Sequence, residues 1–387
     1  MAAYLGLTWD HPRGKNALTA AAARAPTLQG LEIAWHAQPL EDFEARPLAE
    51  LCGRYDLLVI DHPHVGEAAA SGGLRPLDEV LPGAELAEIG ANTVGACFES
   101  YRWDGRLWAL PLDAASQVTA LRADRLAGAA PRTWDEVEAL ARETGAVALS
   151  LAGPHAFLSL LSVVAALDEV PAASAGELLP YAAGCAAAEL VQRLFDHAPR
   201  HAATLNPIQL LDHMASQEDV LVCPLVYGYV NYAVPAPGRR RLRFVDAPRA
   251  SHAGRPGSTL GGTGIAISRR CALSEPLLAH LRWLMSERAQ LDFIPQHDGQ
   301  PSRRSAWWDP KLNTRFGGFY RGTAQTLEQA CVRPRHAGYV AFQAQASACV
   351  REALLERRPA ATLVDELNGM FRRSRGNARH QEGRAHA

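Results

Sequence analysis

Lysine is almost missing from this sequence. Only Lys15 and Lys311 occur, so all but two of the 39 basic residues are arginine. The bias accompanies an alanine excess, follows from GC-rich coding, and carries no function. Charge of one sign is not in excess either. The formal net charge is −2, which excludes bulk electrostatic attraction to nucleic acid or an anionic membrane. Long apolar runs are absent. The strongest, near 157–167, is far shorter than the about 20 residues that a membrane span needs. The seven cysteines are odd in number and none sit at CxxC spacing. That argues against a disulfide framework and against a cysteine zinc site, and most read as small buried hydrophobes. No Gly-x-Ser-x-Gly elbow, His-Glu-x-x-His, kinase set or β-lactamase set occurs. No catalytic residue is therefore assigned, and there is no internal repeat. The start, Met1-Ala2-Ala3-Tyr4, has no basic segment, apolar segment or cleavage site. That places the chain in the cytoplasm if Met1 is the native start.

What remains is an ordinary globular balance, 48% hydrophobic and 21% charged over 387 residues. At about 100–200 residues per domain this predicts two or three domains with a large core. The first third alternates strand and helix patterns. Residues 4–9, 31–35 and 55–60 read as strands, with helices over 15–24, 39–52 and 65–70. The run 55–60 is continuously apolar, the pattern of a parallel strand buried on both faces. This order implies a parallel sheet covered by helices. Further on, 107–112 and 117–121 read as extended segments separated by Asp113-Ala114-Ala115. Thr133 and Glu136 have capping-box spacing, and 146–151 reads as a strand. Long helices are expected over 155–167 and 174–195, and strands over 219–225, 242–245 and 264–268. Helices dominate from 275, around a loop at 296–309. Residues 372–387 are polar, basic and aperiodic, and are expected to be disordered.

Several short segments carry binding chemistry. Trp9-Asp10-His11-Pro12-Arg13-Gly14 follows the first strand and joins an aromatic face, a carboxylate and an imidazole in one short loop before a helix. This suits a polar organic ligand, with Trp9 as core and Asp10 as a helix cap the alternative. Asp61-His62-Pro63-His64 follows the buried strand, and loops at the carboxyl ends of such strands line ligand crevices. His62 and His64 have metal-ligand spacing, but no second cluster completes a site, so no metal is expected. Tyr227, Tyr229 and Tyr232 flank Gly228 and Asn231, supplying rings and hydroxyls of the kind that hold polar rings. The glycine-rich stretch 257–264 lacks the ending of a P-loop and precedes a strand, which argues against nucleotide. It reads as a tight crossover with Gly262, Thr263 and Gly264 offering backbone amides. Trp307 and Trp308 are adjacent and cannot both face one core from a strand.

The order of these segments resembles family 1 extracellular solute-binding proteins, the substrate-binding components of ABC importers. The resemblance rests on the buried strand ending at Asp61, on Leu107-Trp108-Ala109-Leu110-Pro111-Leu112-Asp113, and on Pro131-Arg132-Thr133-Trp134-Asp135-Glu136. It rests also on Gly261-Gly262-Thr263-Gly264 with its following strand, and on the helix at 281–290 followed by Gly299-Gln300-Pro301-Ser302-Arg303. It implies an α/β, two-lobed type 2 periplasmic-binding-protein fold, with a ligand cleft between discontinuous lobes that close by hinge bending. The first lobe is expected at 1–113 plus 259–305, the second at 114–258 plus 306–371. The implied partners are a small-molecule ligand and an ABC transporter permease, with no cofactor, no nucleic acid and no membrane insertion. The implied location is periplasmic.

The expected ligand is a small polar metabolite, sugar-like or a small organic acid. Trp9, Tyr227, Tyr229 and Trp307 are the expected aromatic walls. Asp10, His11, Asp61, His62, His64, Asn231 and Thr263 are the expected polar contacts, with Gly262 and Gly264 as backbone donors. Asp113 and Gln117 sit at the crossover and are expected to touch both ligand and hinge. The histidines are expected to change charge near pH 7. Two other readings are a cytoplasmic ligand sensor and an enzyme using Asp and His on the same fold.

Overall fold

The computed structural model describes residues 2–172 and 177–385. Its strands are β1 (Ala2–Trp9), β2 (Leu31–Gln38), β3 (Leu57–Ile60), β4 (Leu74–Arg75), β5 (Arg102–Trp103), β6 (Arg106–Leu107), β7 (Leu110–Leu121), β8 (Val222–Tyr227), β9 (Arg243–Val245) and β10 (Leu260–Ser268). The main path runs β2-β1-β3-β10-β7-β8, with β4 on β10 and β9 on β7. β1 pairs in parallel with β2 and β3, as the strand–helix–strand order requires, and β3 is buried at every position. β10 returns antiparallel between β3 and β7.

β7 joins the two parts of the sheet. It is one strand of 12 residues, buried throughout, so the expected break at Asp113-Ala114-Ala115 does not occur. The Asp113 carboxylate is neutralised by Arg13, and the two alanines pair with Gly262 and Gly261 of β10 in the same sheet. Up to Ser116 the strand pairs with β10. From Gln117 it pairs with β8, and over its last three residues with β9. One continuous backbone therefore carries the chain from one half of the molecule to the other.

Two apolar cores lie on either side of this strand. One gathers the side chains of β1, β3 and β10, with Tyr229, Tyr232, Trp307 and Phe319. The other gathers Trp134, Phe157, Phe195, Tyr339 and Phe371. The second core holds the helix His155–Ala166, buried at all positions, against the helices Tyr181–His197 and Tyr339–Glu356. Thr133 closes a capping box, accepting from the Glu136 amide at 3.3 Å while Glu136 accepts from the Thr133 amide at 3.1 Å.

Some expectations change. The helix over 39–52 splits into Leu40–Ala45 and Leu48–Cys52, because the residue before Pro47 is driven to extended backbone, with Arg46 at ψ 132°. The run 146–151 makes one bridge, Val147 to Val222, in place of a strand. It lies along the open side of β8 with few ladder bonds. The helix expected from 174 is seen over Tyr181–His197, and Ser174 lies outside the described residues. The expectation of disorder from Arg372 is corrected as far as Ala385, because the helix Ala360–Ala385 continues through it. Its apolar side, with Leu363, Val364, Leu367 and Phe371 buried, anchors the polar continuation. Residues 386–387 lie outside the described residues. Among the described residues no helix is long and apolar enough to cross a membrane.

Candidate ligand cleft

The carboxyl ends of β1 and β3, the glycine-rich start of β10 and the end of β8 converge on one cavity of about 50 Å³. One wall is Trp9, Arg13, Leu40, Phe43 and Asp61. The facing wall is His155, Pro207, Tyr227 and Tyr229. Ala115 and Gly261 to Thr263 close the floor. Of the residues expected to bind ligand, Trp9, Asp61, Tyr227, Tyr229, Gly262 and Thr263 are brought together here.

Aromatic packing builds the first wall. The Trp9 ring stacks on His11 at 5.5 Å and 9°, and meets Phe43 and the edge of Tyr229 at about 6 Å. Gly14 permits this arrangement, since a Cβ there would lie 2.4 Å from the indole. His11 caps the helix Pro12–Gln29 by accepting the Arg13 amide on Nδ1 at 3.1 Å. That bond needs an unprotonated Nδ1. Burial, with Arg13 beside it, lowers the imidazole to about 3.

Arg13 organises the centre. Its guanidinium grips Asp113 through two hydrogen bonds, one of them at 2.8 Å. It also donates to the Gly228 carbonyl at 3.0 Å and lies 4.7 Å above the Tyr229 ring. This one side chain ties β1's helix to β7 and to the segment after β8. Burial pushes the Asp113 carboxyl up, and the Arg13 charge opposes it.

A second buried pair stands at Asp61. Arg333 donates to its Oδ2 at 2.5 Å and to the Leu260 carbonyl at 3.2 Å. Burial alone would raise the Asp61 carboxyl, but the Arg333 charge and the His62 hydrogen bond hold it well below the usual carboxylate range. His62 is fully buried. Its Nε2 accepts the Arg333 amide at 3.3 Å, and burial with the Arg333 charge lowers it to about 4.

The floor depends on glycine. Gly262 has φ +94°, and a Cβ there would lie 2.5 Å from the Asp113 carbonyl. The register of β10 on β7 shifts between Thr263 and Gly264. This bulge turns the backbone of Gly261 to Thr263 to the cavity.

The other expected contacts lie elsewhere. Asp10 faces solvent and pairs with Lys15. His11, His62 and His64 are buried behind the wall, so the expected charge change near pH 7 is corrected for His11 and His62, which burial keeps neutral. His64 hydrogen-bonds the Asp61 carbonyl through Nδ1 at 3.1 Å. Asp113 is engaged by Arg13. Gln117 is buried in a polar network, accepting from Ser162 at 2.6 Å and Thr259 at 3.1 Å and donating to Ser159 at 3.3 Å. It belongs to the crossover and does not line the cavity. Asn231 bonds the Asp298 carbonyl at 3.1 Å. Gly264 packs on Tyr101 and Ala109, where a Cβ would lie 2.7 Å from the tyrosine ring. Trp307 is a core residue, 1% exposed, and donates to the Pro301 carbonyl; its neighbour Trp308 is the exposed one. The sequence reading missed Arg13, Phe43, His155 and Pro207. Arg13 lies inside the segment 9–14 that the sequence singles out, but only Trp9, Asp10 and His11 are given contacts there. Nothing local marks His155 or Pro207.

No protein-family model matches the sequence. The fold defined by this sheet and cleft is that of the two-lobed solute-binding proteins of the maltose-binding type. The ABC transporter solute-binding protein of Agrobacterium radiobacter K84, solved with ribitol, superposes with a TM-score of 0.80. It shares 19% identity, over 96% of this chain and 98% of that one. The maltose-bound MalE3 of T. maritima superposes with a TM-score of 0.79 at 18% identity, over 96% and 99% of the two chains. A solute-binding protein of Agrobacterium vitis S4 with bound D-mannitol superposes at 0.72 with 16% identity, over 98% and 99%.

Proposed function

We propose that this chain is a non-catalytic solute-binding protein that captures a small neutral sugar or polyol in the cleft, for import by an ABC transporter. The observation that carries the choice of ligand is the pairing of every buried charge at the centre. Arg13 is matched by Asp113 and Arg333 by Asp61. A carboxylate ligand would need a cation, and both buried cations are already engaged. What the cleft offers instead is aromatic faces, backbone groups at Gly261 to Thr263, and single polar groups at Thr263 and Tyr227. That is the chemistry of neutral hydroxylated ligands. The similar proteins solved with ribitol, D-mannitol and maltose support the same choice.

The lobes divide where β7 changes partners, near 113–117, and again at 258–260 and 301–306. Ligand enters with the lobes apart and leaves the cleft closed over it. Asp61 is engaged by Arg333, and His11 and His62 lie neutral behind the wall, which supports binding without turnover. As a receptor for import, the protein works outside the cytoplasmic membrane.

The test is isothermal titration calorimetry with ribitol, mannitol, tagatose and maltose, followed by chromatography of the recovered ligand. The expected result is one saturable site and an unaltered ligand. Binding of dicarboxylates in preference to all neutral compounds, or a chemically changed ligand, would overturn the reading.

A further inference from the structure

We propose that this protein carries a site for a zinc-type divalent metal ion, built from His201, His213 and Asp219 and separate from the cleft. His201 stands on the 3-10 turn Arg200–Thr204. His213 stands on the last turn of the helix Pro207–Ser216, and Asp219 on the loop before β8. These three elements bring three ligand atoms to one point. The two Nε2 atoms are 3.2 Å apart. The His213 Nε2 lies 2.7 Å from one Asp219 oxygen, and the His201 Nε2 lies 3.0 Å from the other.

These separations are of hydrogen-bonding length, and they also gather two imidazole nitrogens and a carboxylate oxygen closely enough for one cation to reach all three. At the about 2.0–2.1 Å bonds that zinc makes to imidazole nitrogen and carboxylate oxygen, tetrahedral ligand atoms stand about 3.3 Å apart. The observed separations of 3.2, 3.0 and 2.7 Å are tighter by about 0.1 to 0.6 Å, so loading requires the three side chains to move slightly apart. Without a metal, one imidazole can donate to the carboxylate and accept from the other ring. A cation at the centre would take a lone pair from each imidazole, and the carboxylate supplies the charge. Borderline-soft nitrogen with one carboxylate selects zinc-like ions over Mg²⁺ or Ca²⁺, which take all-oxygen shells. The neighbouring Glu218 is engaged by Arg125 and Arg240. His201 and Asp219 are about half exposed, so the fourth position opens to water. The ligands are spaced 12 and 6 residues apart and match no short metal motif, so the site is invisible in the sequence.

The site clips together the two ends of the segment that carries Pro207 into the cleft wall. The test is titration of the whole protein with ZnCl2, read by calorimetry and by thermal shift, with MgCl2 as the comparison. His201→Ala and His213→Ala are the variants, and cleft-ligand binding reports that each is folded. One zinc per chain is expected, with a melting temperature that rises with zinc and returns on chelation. Each variant should bind zinc at least tenfold more weakly while binding the cleft ligand as before. X-ray absorption of the loaded protein should show two imidazoles. Zinc affinity unchanged in both variants, no zinc binding by the parent protein, or equal response to magnesium would each overturn the proposal.

Discussion

Arg13 is the side chain on which the cleft turns. It is buried, it holds Asp113 bidentately, and it spans from the first helix to the Gly228 carbonyl. Asp113→Asn leaves its guanidinium buried without a matching charge, and breaking a buried pair from one side costs about 3–5 kcal/mol. Denaturant unfolding of this variant should show a loss in that range. Gly262→Ala combines a positive φ with a Cβ 2.5 Å from a carbonyl oxygen. It should cost about 1–3 kcal/mol and lower ligand affinity by displacing the floor. The histidines set a pH dependence. His11 and His62 titrate at about 3 and about 4 in the folded chain, below the ordinary 6.5. As pH falls below 6.5 the unfolded chain takes up these protons first. The stability present above about 6.5 is therefore lost progressively toward pH 4, on the order of 3 kcal/mol for each histidine. His11→Asn keeps a good N-cap and removes one titration. Its unfolding free energy should fall more gently between pH 6.5 and 4 than that of the parent. At this scale the sequence pointed to the right loops but not always to the right atoms. Trp9 and Asp61 line the cavity, while His11, His62 and His64 turn inward behind them. Nothing in a His-x-His or Trp-Asp-His string says which face of the strand end each ring takes; the packing of Phe43, Tyr229 and Arg333 decides that.

At the scale of elements, the turn from lobe to lobe rests on β7 and on the polar network around Gln117. Gln117→Leu leaves the Ser159, Ser162 and Thr259 hydroxyls without their amide partner in a buried place, a cost of about 1–3 kcal/mol. The helix Pro207–Ser216 meets the first lobe through Asn206, which donates to Glu41 at 2.8 Å beside the cleft residues Leu40 and Pro207. Asn206→Asp preserves the capping oxygen but sets a carboxylate against Glu41. Because the pair is exposed, the penalty is about 0.5–1 kcal/mol. Calorimetry should show ligand affinity reduced a few-fold, with the helix intact by circular dichroism. Much of this level was legible. The buried run at 55–60, the Thr133 capping box and the return strand at 264–268 follow from unbroken hydrophobicity, from capping spacing and from the glycine-rich stretch that precedes the strand. β7 was read as two pieces because Asp113 looks like a strand breaker until its arginine, 100 residues away, is known. The tail looked disordered because its anchoring contacts with Leu178 and Leu179, through Asn368, are long-range.

At the scale of the whole molecule, the proposed capture of a neutral solute rests on the two-lobed fold and on the pairing of Arg13 with Asp113 and of Arg333 with Asp61 in the cleft. The cleft as it stands holds about 50 Å³, room for a few waters, so a ligand must find the walls further apart. Hinge opening and closure is the motion this demands, and small-angle scattering should record a decrease in radius of gyration when the solute is added to an open population. The most direct measurement of the central claim is calorimetry of the purified protein against a matched panel of neutral sugars, polyols and small carboxylates, repeated with Trp9→Ala. One neutral hydroxylated compound should bind saturably, be recovered unchanged, and lose at least tenfold in affinity when the indole is removed. Binding confined to a carboxylate, consumption of the bound compound, or an affinity indifferent to Trp9 would contradict it.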